Sequence, residues 1–283
     1  MTPTLVSQHH LHPVSPPDPA GSARARDWAE IQERMLVPLY EAVYERLEVG
    51  PSTRMLGLGC GSGLALLMAS VRGATVAGTD AHPQRLSLAR ERLLPGPDGP
   101  GGTAAGPSRR LGGTAEEVAD PGGAPFNLVT AFDPHAYTGG DLVVALAEAA
   151  AAAERGTLVV LAGWGPAERC ATASVLRIAS RLAEPLPAPG GGRQPGGRDD
   201  LEELARQAGL RPDGSGRVAC PFGYANMDSA VRGLLSTGQF DAAAEATDQA
   251  QVEKELTEAL HPYTRPDGTV WMPNVFRYLI ARV

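Results

Sequence analysis

The stretch Met55-Leu-Gly-Leu-Gly-Cys-Gly-Ser-Gly63 decides the fold, because an apolar run enters a loop with glycine at every second position. The residues from Leu64 to Val71 are apolar again and predict a helix. A glycine-rich turn between a strand and a helix lets the backbone approach a ligand closely and presents free N–H groups to it. The sequence therefore predicts a nucleotide-cofactor loop at the start of an α/β domain.

The spacing of the glycines separates two kinds of cofactor. A dinucleotide fingerprint, G-x-G-x-x-G, needs glycine at position 64, where this chain has Leu64. About twenty residues after the loop, Asp80 follows the next predicted strand, where a carboxylate can accept hydrogen bonds from ribose hydroxyls. Both kinds of cofactor use that acid, so Asp80 indicates a nucleoside and the glycine spacing disfavours a dinucleotide.

Strands and helices alternate along the chain, which predicts a parallel sheet covered on both faces. The predicted strands are residues 54–58, 74–78, 110–112, 126–132, 157–162, 215–220 and 275–283. The predicted helices are residues 64–71, 83–94, 141–153, 199–208 and 226–261. Glycine- and proline-rich loops are expected at residues 95–108 and 185–197.

The domain organisation predicted from these patterns is a single domain over residues 23–283. Apolar residues such as Trp28, Ile31, Met35 and Leu39 recur at helical spacing, which predicts a helical lid over residues 23–49 that Pro38 kinks or splits. Residues 1–22 have neither the basic start nor the apolar run of a signal peptide and are expected to form a disordered tail. Residues 221–268 are expected to form a helical insertion before the last strand.

The composition of the chain disfavours several classes of function. The 283 residues are 43% hydrophobic and 20% charged, with a net charge of −7, which disfavours a nucleic-acid surface. No apolar run is long enough to span a membrane. Three cysteines without C-x-x-C spacing suit a cytoplasmic protein. His9, His10 and His12 lack a fourth ligand, so no metal site is predicted.

These features together resemble the class I S-adenosylmethionine-dependent methyltransferases. Met55–Gly63 is similar to the family's first motif, Gly78-Thr-Asp80 to its ribose-binding strand end, and Gly113–Glu117 to its adenine-contacting region. Residues 126–133 and 156–164 are similar to its fourth and fifth strands. The resemblance implies a Rossmann-like, seven-stranded, mainly parallel sheet with helices on both faces and an antiparallel last strand.

The resemblance also implies S-adenosylmethionine as cofactor and S-adenosylhomocysteine as product. Two positions of the implied cofactor pocket depart from the family's pattern: Gly57, where an acidic residue usually holds the amino group of the cofactor, and Thr114, where an acid usually contacts the adenine. A third departure lies outside the pocket, since residues 149–156 before the fifth strand lack the usual Pro-Gly turn. The cofactor-binding residues implied by the resemblance are Gly57, Gly59, Cys60, Gly61, Gly63, Asp80, Ala81, Thr114, Ala115, Glu116 and Phe132.

Catalytic candidates follow the fourth strand in Asp133-Pro-His-Ala-Tyr137, since ligands of open α/β sheets lie beyond the carboxyl ends of the strands. His135 is a candidate general base because an ordinary imidazole pKa lies near 6.5. Packing within the loop is the alternative for His135. Asp133 is expected to orient it or contact the cofactor, or else to serve only as a turn residue.

The substrate pocket has four aromatic candidates, for each of which core packing is the alternative: Trp28, Tyr40, Tyr137 and Trp164.

The C-terminal half of the chain is similar to bacterial methyltransferases associated with secondary metabolism, including antibiotic biosynthesis. The leading hypothesis is therefore O- or C-methylation of a small, fairly apolar natural product. The alternative is a methyltransferase fold repurposed for a non-methylating reaction such as cyclisation, or a noncatalytic binding partner. A nicotinamide-dependent oxidoreductase is disfavoured by Leu64. The sequence leaves open whether the protein forms a homodimer.

Overall fold

The computed structural model describes residues 19–94, 109–118, 123–133, 141–151, 153–183 and 200–283. Both loops expected at residues 95–108 and 185–197 therefore lie outside the described residues, and so do the three N-terminal histidines, His135 and Tyr137.

The helices of the described residues are α1 Pro19–Asp27, α2 Val37–Arg46, α3 Leu64–Val71, α4 Pro83–Leu93, α5 Ala115–Val118, α6 Asp141–Ala151, α7 Thr172–Ala183, α8 Asp200–Gln207, α9 Met227–Leu235, α10 Asp241–Ala246 and α11 Gln249–Leu260. None of these described helices combines the length and the apolar character needed to cross a membrane.

The strands are β1 Arg54–Leu58, β2 Thr75–Thr79, β3 Arg109–Gly112, β4 Leu128–Ala131, β5 Leu158–Trp164, β6 Arg211–Ala219, β7 Phe222–Tyr224, β8 Val270–Met272 and β9 Val275–Arg282.

Seven of the strands form one sheet in the order β3-β2-β1-β4-β5-β9-β6. The pairs from β3 to β5 are parallel, whereas β9 lies antiparallel between β5 and β6. This confirms the fold class predicted from the sequence, with seven strands and an antiparallel last strand. Strand β4 is buried along its whole length because helices cover both faces of the sheet.

The core lies on the two faces of this sheet. On one face the apolar residues of α2, α3, α4 and α7 pack together with those of α9 to α11. On the other face Leu142 and Leu146 of α6 and Leu201 of α8 pack against the sheet. The carboxyl ends of β1, β2 and β4 meet at one edge of the sheet, so the loops after these strands are brought together there.

The N-terminal segment, residues 19–46, differs in detail from the helix predicted over residues 23–49. Helix α1 begins at Pro19, so residues 19–22 are helical rather than part of the tail. After α1 the chain winds as a π turn, Trp28–Gln32, and then as a 3-10 turn, Glu33–Leu36. The predicted split at Pro38 is confirmed, because Pro38 lies in the first turn of α2. Backbone N–H groups in the first turn of a helix have no partner within the helix, so proline is tolerated there.

The segment expected to be a helical insertion, residues 221–268, is not helical throughout. It begins with β7, which pairs with β8 as a separate two-stranded sheet. The helix predicted over residues 226–261 is three helices, with Gly238 in a left-handed conformation between α9 and α10. Helices α5 and α7 and the β7–β8 pair have no counterpart among the elements predicted from the sequence. Strands of three residues are too short to show an alternating pattern.

Candidate functional site

The glycine loop after β1 has the backbone that its sequence predicts. Gly59, Gly61 and Gly63 have φ angles of 62°, 58° and 79°, in the left-handed region that glycine adopts without steric cost. The Cys60 N–H donates to the carbonyl of Thr79 at 2.8 Å and so ties the loop to the end of β2. Gly63 is the N-cap of α3, so the loop leads directly into a helix N-terminus.

Asp80 holds this loop from the neighbouring strand. Its Oδ2 accepts the Gly61 N–H at 2.8 Å, and its Oδ1 accepts the His82 N–H at 2.8 Å. The Asp80 side chain is only 1% exposed. The carboxylate predicted to bind a ribose therefore faces the protein in this conformation and tethers the loop to β2.

Glu33, which the sequence did not indicate, is the second carboxylate at the loop. From the 3-10 turn it reaches the start of α3, where its Oε1 accepts the N–H groups of Ser62 at 3.1 Å and Leu64 at 3.4 Å. The Ser62 hydroxyl donates a very short hydrogen bond to Oε2. A sequence signal did exist, since Glu33 recurs at helical spacing with the apolar residues Ala29, Leu36 and Tyr40.

Arg92 of α4 completes this group. Its Nη1 lies 3.0 Å from Glu33 Oε2 and also donates to Ser62, at 2.9 Å to the carbonyl and 2.6 Å to the hydroxyl. Burial raises the pKa of Glu33 above its ordinary value, while the hydrogen bond from Ser62 and the charge of Arg92 act in the opposite direction. A buried carboxylate is thus held at a helix N-terminus by a cation and by N–H and O–H donors.

A second cluster lies beside the glycine loop. It crosses the crevice, by which we mean the space at the carboxyl ends of β1, β2 and β4. The Arg85 guanidinium lies 4.1 Å from the centre of the Trp28 ring and donates to the Ser236 carbonyl at 3.0 Å. The same guanidinium lies 3.8 Å from Asp133 Oδ2 after β4. Arg85 therefore connects α4, the N-terminal segment and the end of β4 across the position where ligands of such sheets bind.

The indole of Trp28 covers the glycine loop. A Cβ atom added to Gly61 would lie 3.0 Å from Trp28 Nε1 and 2.8 Å from Glu33 Oε1. Trp28 is 4% exposed, and its Nε1 has no hydrogen-bond partner among the described residues. The space over Gly61 is thus filled by two side chains of the chain itself.

The cavity left at the carboxyl ends of β1 and β4 is small, with a volume of about 20 Å³. That is room for about one water molecule, whereas sites for small-molecule ligands measure roughly 300–1,000 Å³. An adenosyl cofactor does not fit into the crevice as it is formed here. The glycine loop and Asp80 have the expected positions, but the N-terminal segment occupies the space in front of them.

The structure brings many of the predicted site residues together. Eight of them line the small cavity: Gly57, Gly59, Cys60, Gly61 and Phe132 of the cofactor set, Trp28 and Tyr40 of the substrate set, and Asp133. Gly63 faces Ala89 and Leu93 of α4 instead. Burial raises the pKa of the Cys60 thiol, which keeps the thiol protonated and unreactive.

The remaining predicted residues lie apart from this cavity. Ala81, Thr114 and Glu116 are exposed at the ends of β2 and β3, with Ala115 half-buried beside them. Trp164 packs against Phe276, with ring centres 4.5 Å apart, and does not line the cavity. The roles proposed for His135 and Tyr137 stay predictions, since both lie outside the described residues.

Gly57 has a steric explanation. A Cβ atom there would lie 3.0 Å from Leu66 Cδ2 and 3.6 Å from the Cβ of Cys60, so an acidic side chain has no room without a shift of Leu66. The acidic residues that line this cavity are Glu33 and Asp133.

Comparison with known proteins gives a fold and no sequence relative. No protein-family model and no curated protein matches the chain. Among solved structures, a proposed methyltransferase from Bacillus halodurans is 13% identical, with a TM-score of 0.52 over 86% of this chain and 97% of that one. YjhP from Escherichia coli is 16% identical, with a TM-score of 0.51 over 92% of this chain and 99% of that one.

The YcgJ protein of Bacillus subtilis is similar to the same degree, at 15% identity and a TM-score of 0.51 over 86% of this chain and 97% of that one. These likenesses agree with the sheet order, in which one antiparallel strand lies between β5 and β6. The chain has the class I methyltransferase fold. In this methyltransferase fold the glycine loop, Asp80 and Asp133 lie at the same edge of the sheet, and Trp28, Glu33 and Arg85 cover it.

Among the described residues of this methyltransferase fold, no three His, Cys, Asp or Glu side chains cluster closely enough to bind a metal ion.

Proposed function

We propose that the chain is an S-adenosylmethionine-dependent methyltransferase that acts on a small, fairly apolar natural product by O- or C-methylation. One observation carries the proposal: three left-handed glycines follow β1, and one of them, Gly61, donates its N–H to the Asp80 carboxylate after β2, at the ligand-binding edge of this fold. Secondary metabolism, including antibiotic biosynthesis, in the cytoplasm is the setting we propose for it.

Cofactor binding by this protein requires the N-terminal segment to move. Trp28 and Glu33 must leave the space over Gly61, because the cavity holds about one water molecule while they are in place. For the substrate that accepts the methyl group, we propose His135 as general base and Asp133 as the residue that orients it. Tyr137 is proposed as a wall of the acceptor pocket, whereas Trp164 packs in an aromatic cluster with Phe222 and Phe276.

Isothermal titration with S-adenosylmethionine and S-adenosylhomocysteine tests the proposed function. We expect both compounds to bind, with the product competing for the same site. Absence of binding at millimolar concentrations of either compound would overturn the methyltransferase proposal.

The filled crevice favours a second candidate, a methyltransferase fold that serves a non-methylating reaction or acts as a noncatalytic binding partner. Such a protein needs no space over the glycine loop, and the buried group of Glu33, Ser62 and Arg92 closes that space with satisfied hydrogen bonds. In the titration, this candidate predicts no heat of binding from either compound.

We expect Asp80→Ala to weaken the binding of S-adenosylhomocysteine by about tenfold or more, which corresponds to about 1.4 kcal/mol. The substitution also leaves the N–H groups of Gly61 and His82 without their acceptor, so the melting temperature should fall as well. Titration of the folded variant below its melting temperature separates the two effects.

Glu45→Ala is a matched control for Asp80→Ala, because Glu45 is an exposed acidic residue away from the loop. We expect it to change neither affinity nor melting temperature. An Asp80→Ala protein that binds with wild-type affinity would show that the ribose is held elsewhere.

A further inference from the structure

The group around Glu33 has the composition of a carboxylate-binding site. Two backbone N–H groups, of Ser62 and Leu64, point to one oxygen, and the Ser62 hydroxyl and the Arg92 guanidinium point to the other. The donors stand at the N-terminus of α3, where the helix dipole favours negative charge. Glu33 fills this site from a different part of the chain, 29 residues before Ser62.

A second observation at the same place points to a ligand. Trp28 Nε1 is buried and has no acceptor among the described residues, and both it and Glu33 Oε1 lie within 3.0 Å of the position that a Cβ atom of Gly61 would take. A buried N–H group without a partner is unfavourable, and native structures rarely keep one without a reason. The orphaned donor indicates that the space over Gly61 holds a polar acceptor in another state of the protein.

We propose that Glu33 is an internal ligand of the cofactor crevice, so that its carboxylate and the carboxylate of a bound adenosyl amino acid compete for the same donors. This inference rests on the proposed function for the identity of the competing ligand. S-adenosylmethionine and S-adenosylhomocysteine both end in an amino-acid group that carries a carboxylate. When that carboxylate takes the place of Glu33, Ser62, Leu64 and Arg92 hold it, and Trp28 leaves the crevice together with Glu33.

The outer attachments of the segment permit such an exchange. Asp27 is paired with Arg232 of α9, and Arg24 with Asp241 of α10, in ion pairs whose arginines are 51% and 40% exposed. Exposed ion pairs contribute little to stability. The position of the segment therefore depends mainly on its buried contacts, of which the Glu33 hydrogen bonds and the contact between Trp28 and Arg85 lie in the crevice.

Acetate rescue of Glu33→Ala tests the carboxylate site without any adenosyl compound. The substitution removes one carbon and the carboxylate, which together have the size of acetate. We expect acetate, with chloride at equal ionic strength as reference, to raise the melting temperature of Glu33→Ala by about 2–4 °C and to leave the wild-type protein unchanged. No rise for Glu33→Ala would overturn the proposal.

Two further variants control this experiment. Glu33→Gln keeps the size of the side chain and fills the site, so acetate should have no effect on it, and it provides a folded protein if Glu33→Ala is too unstable to study. Glu30→Ala removes an exposed acid from the same segment and should behave as the wild type does in every measurement. Acetate stabilisation of Glu30→Ala to the same degree as Glu33→Ala would contradict a specific site.

Titration with S-adenosylhomocysteine tests the competition. We expect Glu33→Ala and Glu33→Gln to bind it about tenfold more tightly than the wild type, because apparent affinity falls with the fraction of molecules in the competent state. Equal affinity of the wild type and both variants would overturn the competition and leave the methyltransferase proposal intact. If no protein binds S-adenosylhomocysteine while acetate rescues Glu33→Ala, the methyltransferase proposal is overturned and the self-filled carboxylate site stands.

Discussion

Replacing Phe222 by alanine should lower the free energy of unfolding by about 3–5 kcal/mol. Phe222 is 1% exposed and lies in β7, where its ring packs 5.7 Å from Trp164 and 6.2 Å from Phe276, measured between ring centres. These contacts join the small β7–β8 sheet to β5 and β9 of the main sheet. Removing the ring leaves a cavity between the two sheets that the surrounding aromatic residues can fill only in part.

Urea unfolding followed by circular dichroism measures this loss. Val144→Ala is a suitable control, because Val144 is 57% exposed on α6 and its truncation should change stability by no more than about 0.5 kcal/mol. A loss below about 1 kcal/mol for Phe222→Ala would contradict the packing described between the sheets.

Replacing Arg85 by methionine should lower the free energy of unfolding by about 3 kcal/mol, the lower end of the range for removing one partner of a buried ion pair. Arg85 and Asp133 have side chains that are 8% and 9% exposed, but their closest atoms are 3.8 Å apart, so the pair is loose. The substitution also removes the cation over Trp28 and the donor to the Ser236 carbonyl. Three elements around the crevice lose their common contact.

A double-mutant cycle separates the ion pair from the other contacts of Arg85. If the two charges interact, the double variant Arg85→Met with Asp133→Asn should lose less free energy of unfolding than the two single variants lose together. We expect a difference of about 1 kcal/mol. Arg90→Met, an exposed position on the same helix, should have little effect. Strict additivity of the Arg85 and Asp133 changes would show that the two side chains act independently.

The elements around the glycine loop could be predicted because their signals are local. Strand β1 and helix α3 have the predicted bounds, since an apolar run, a loop with three left-handed glycines and a second apolar run follow one another directly. The β7–β8 pair could not be predicted, because its two short strands are nearly fifty residues apart and owe their stability to contacts with the main sheet.

The closure of the crevice could not be predicted for a related reason. The position of Asp80 follows from the order of strands, but the partners of Glu33 lie in the glycine loop, at the start of α3 and in α4, far along the chain. A buried acid in a helical stripe indicates that a partner exists without naming it. Gly57 shows the opposite limit: the sequence suggests a lost contact with the cofactor, and only the packing shows that a Cβ atom at this position requires a shift of Leu66.

The π turn at Trp28–Gln32 determines which side chains can share the crevice. In an α-helix, residues five apart point about 140° away from each other, so an ordinary helix would direct Trp28 and Glu33 to different sides. In the π turn the Glu33 N–H bonds to the carbonyl of Trp28, which brings the two residues closer to the same side of the helix. Both side chains therefore occupy the crevice only because this turn contains one residue more than an α-helical turn. A chain shorter by one residue here would keep every side chain of the site and present only one of the two to the glycine loop.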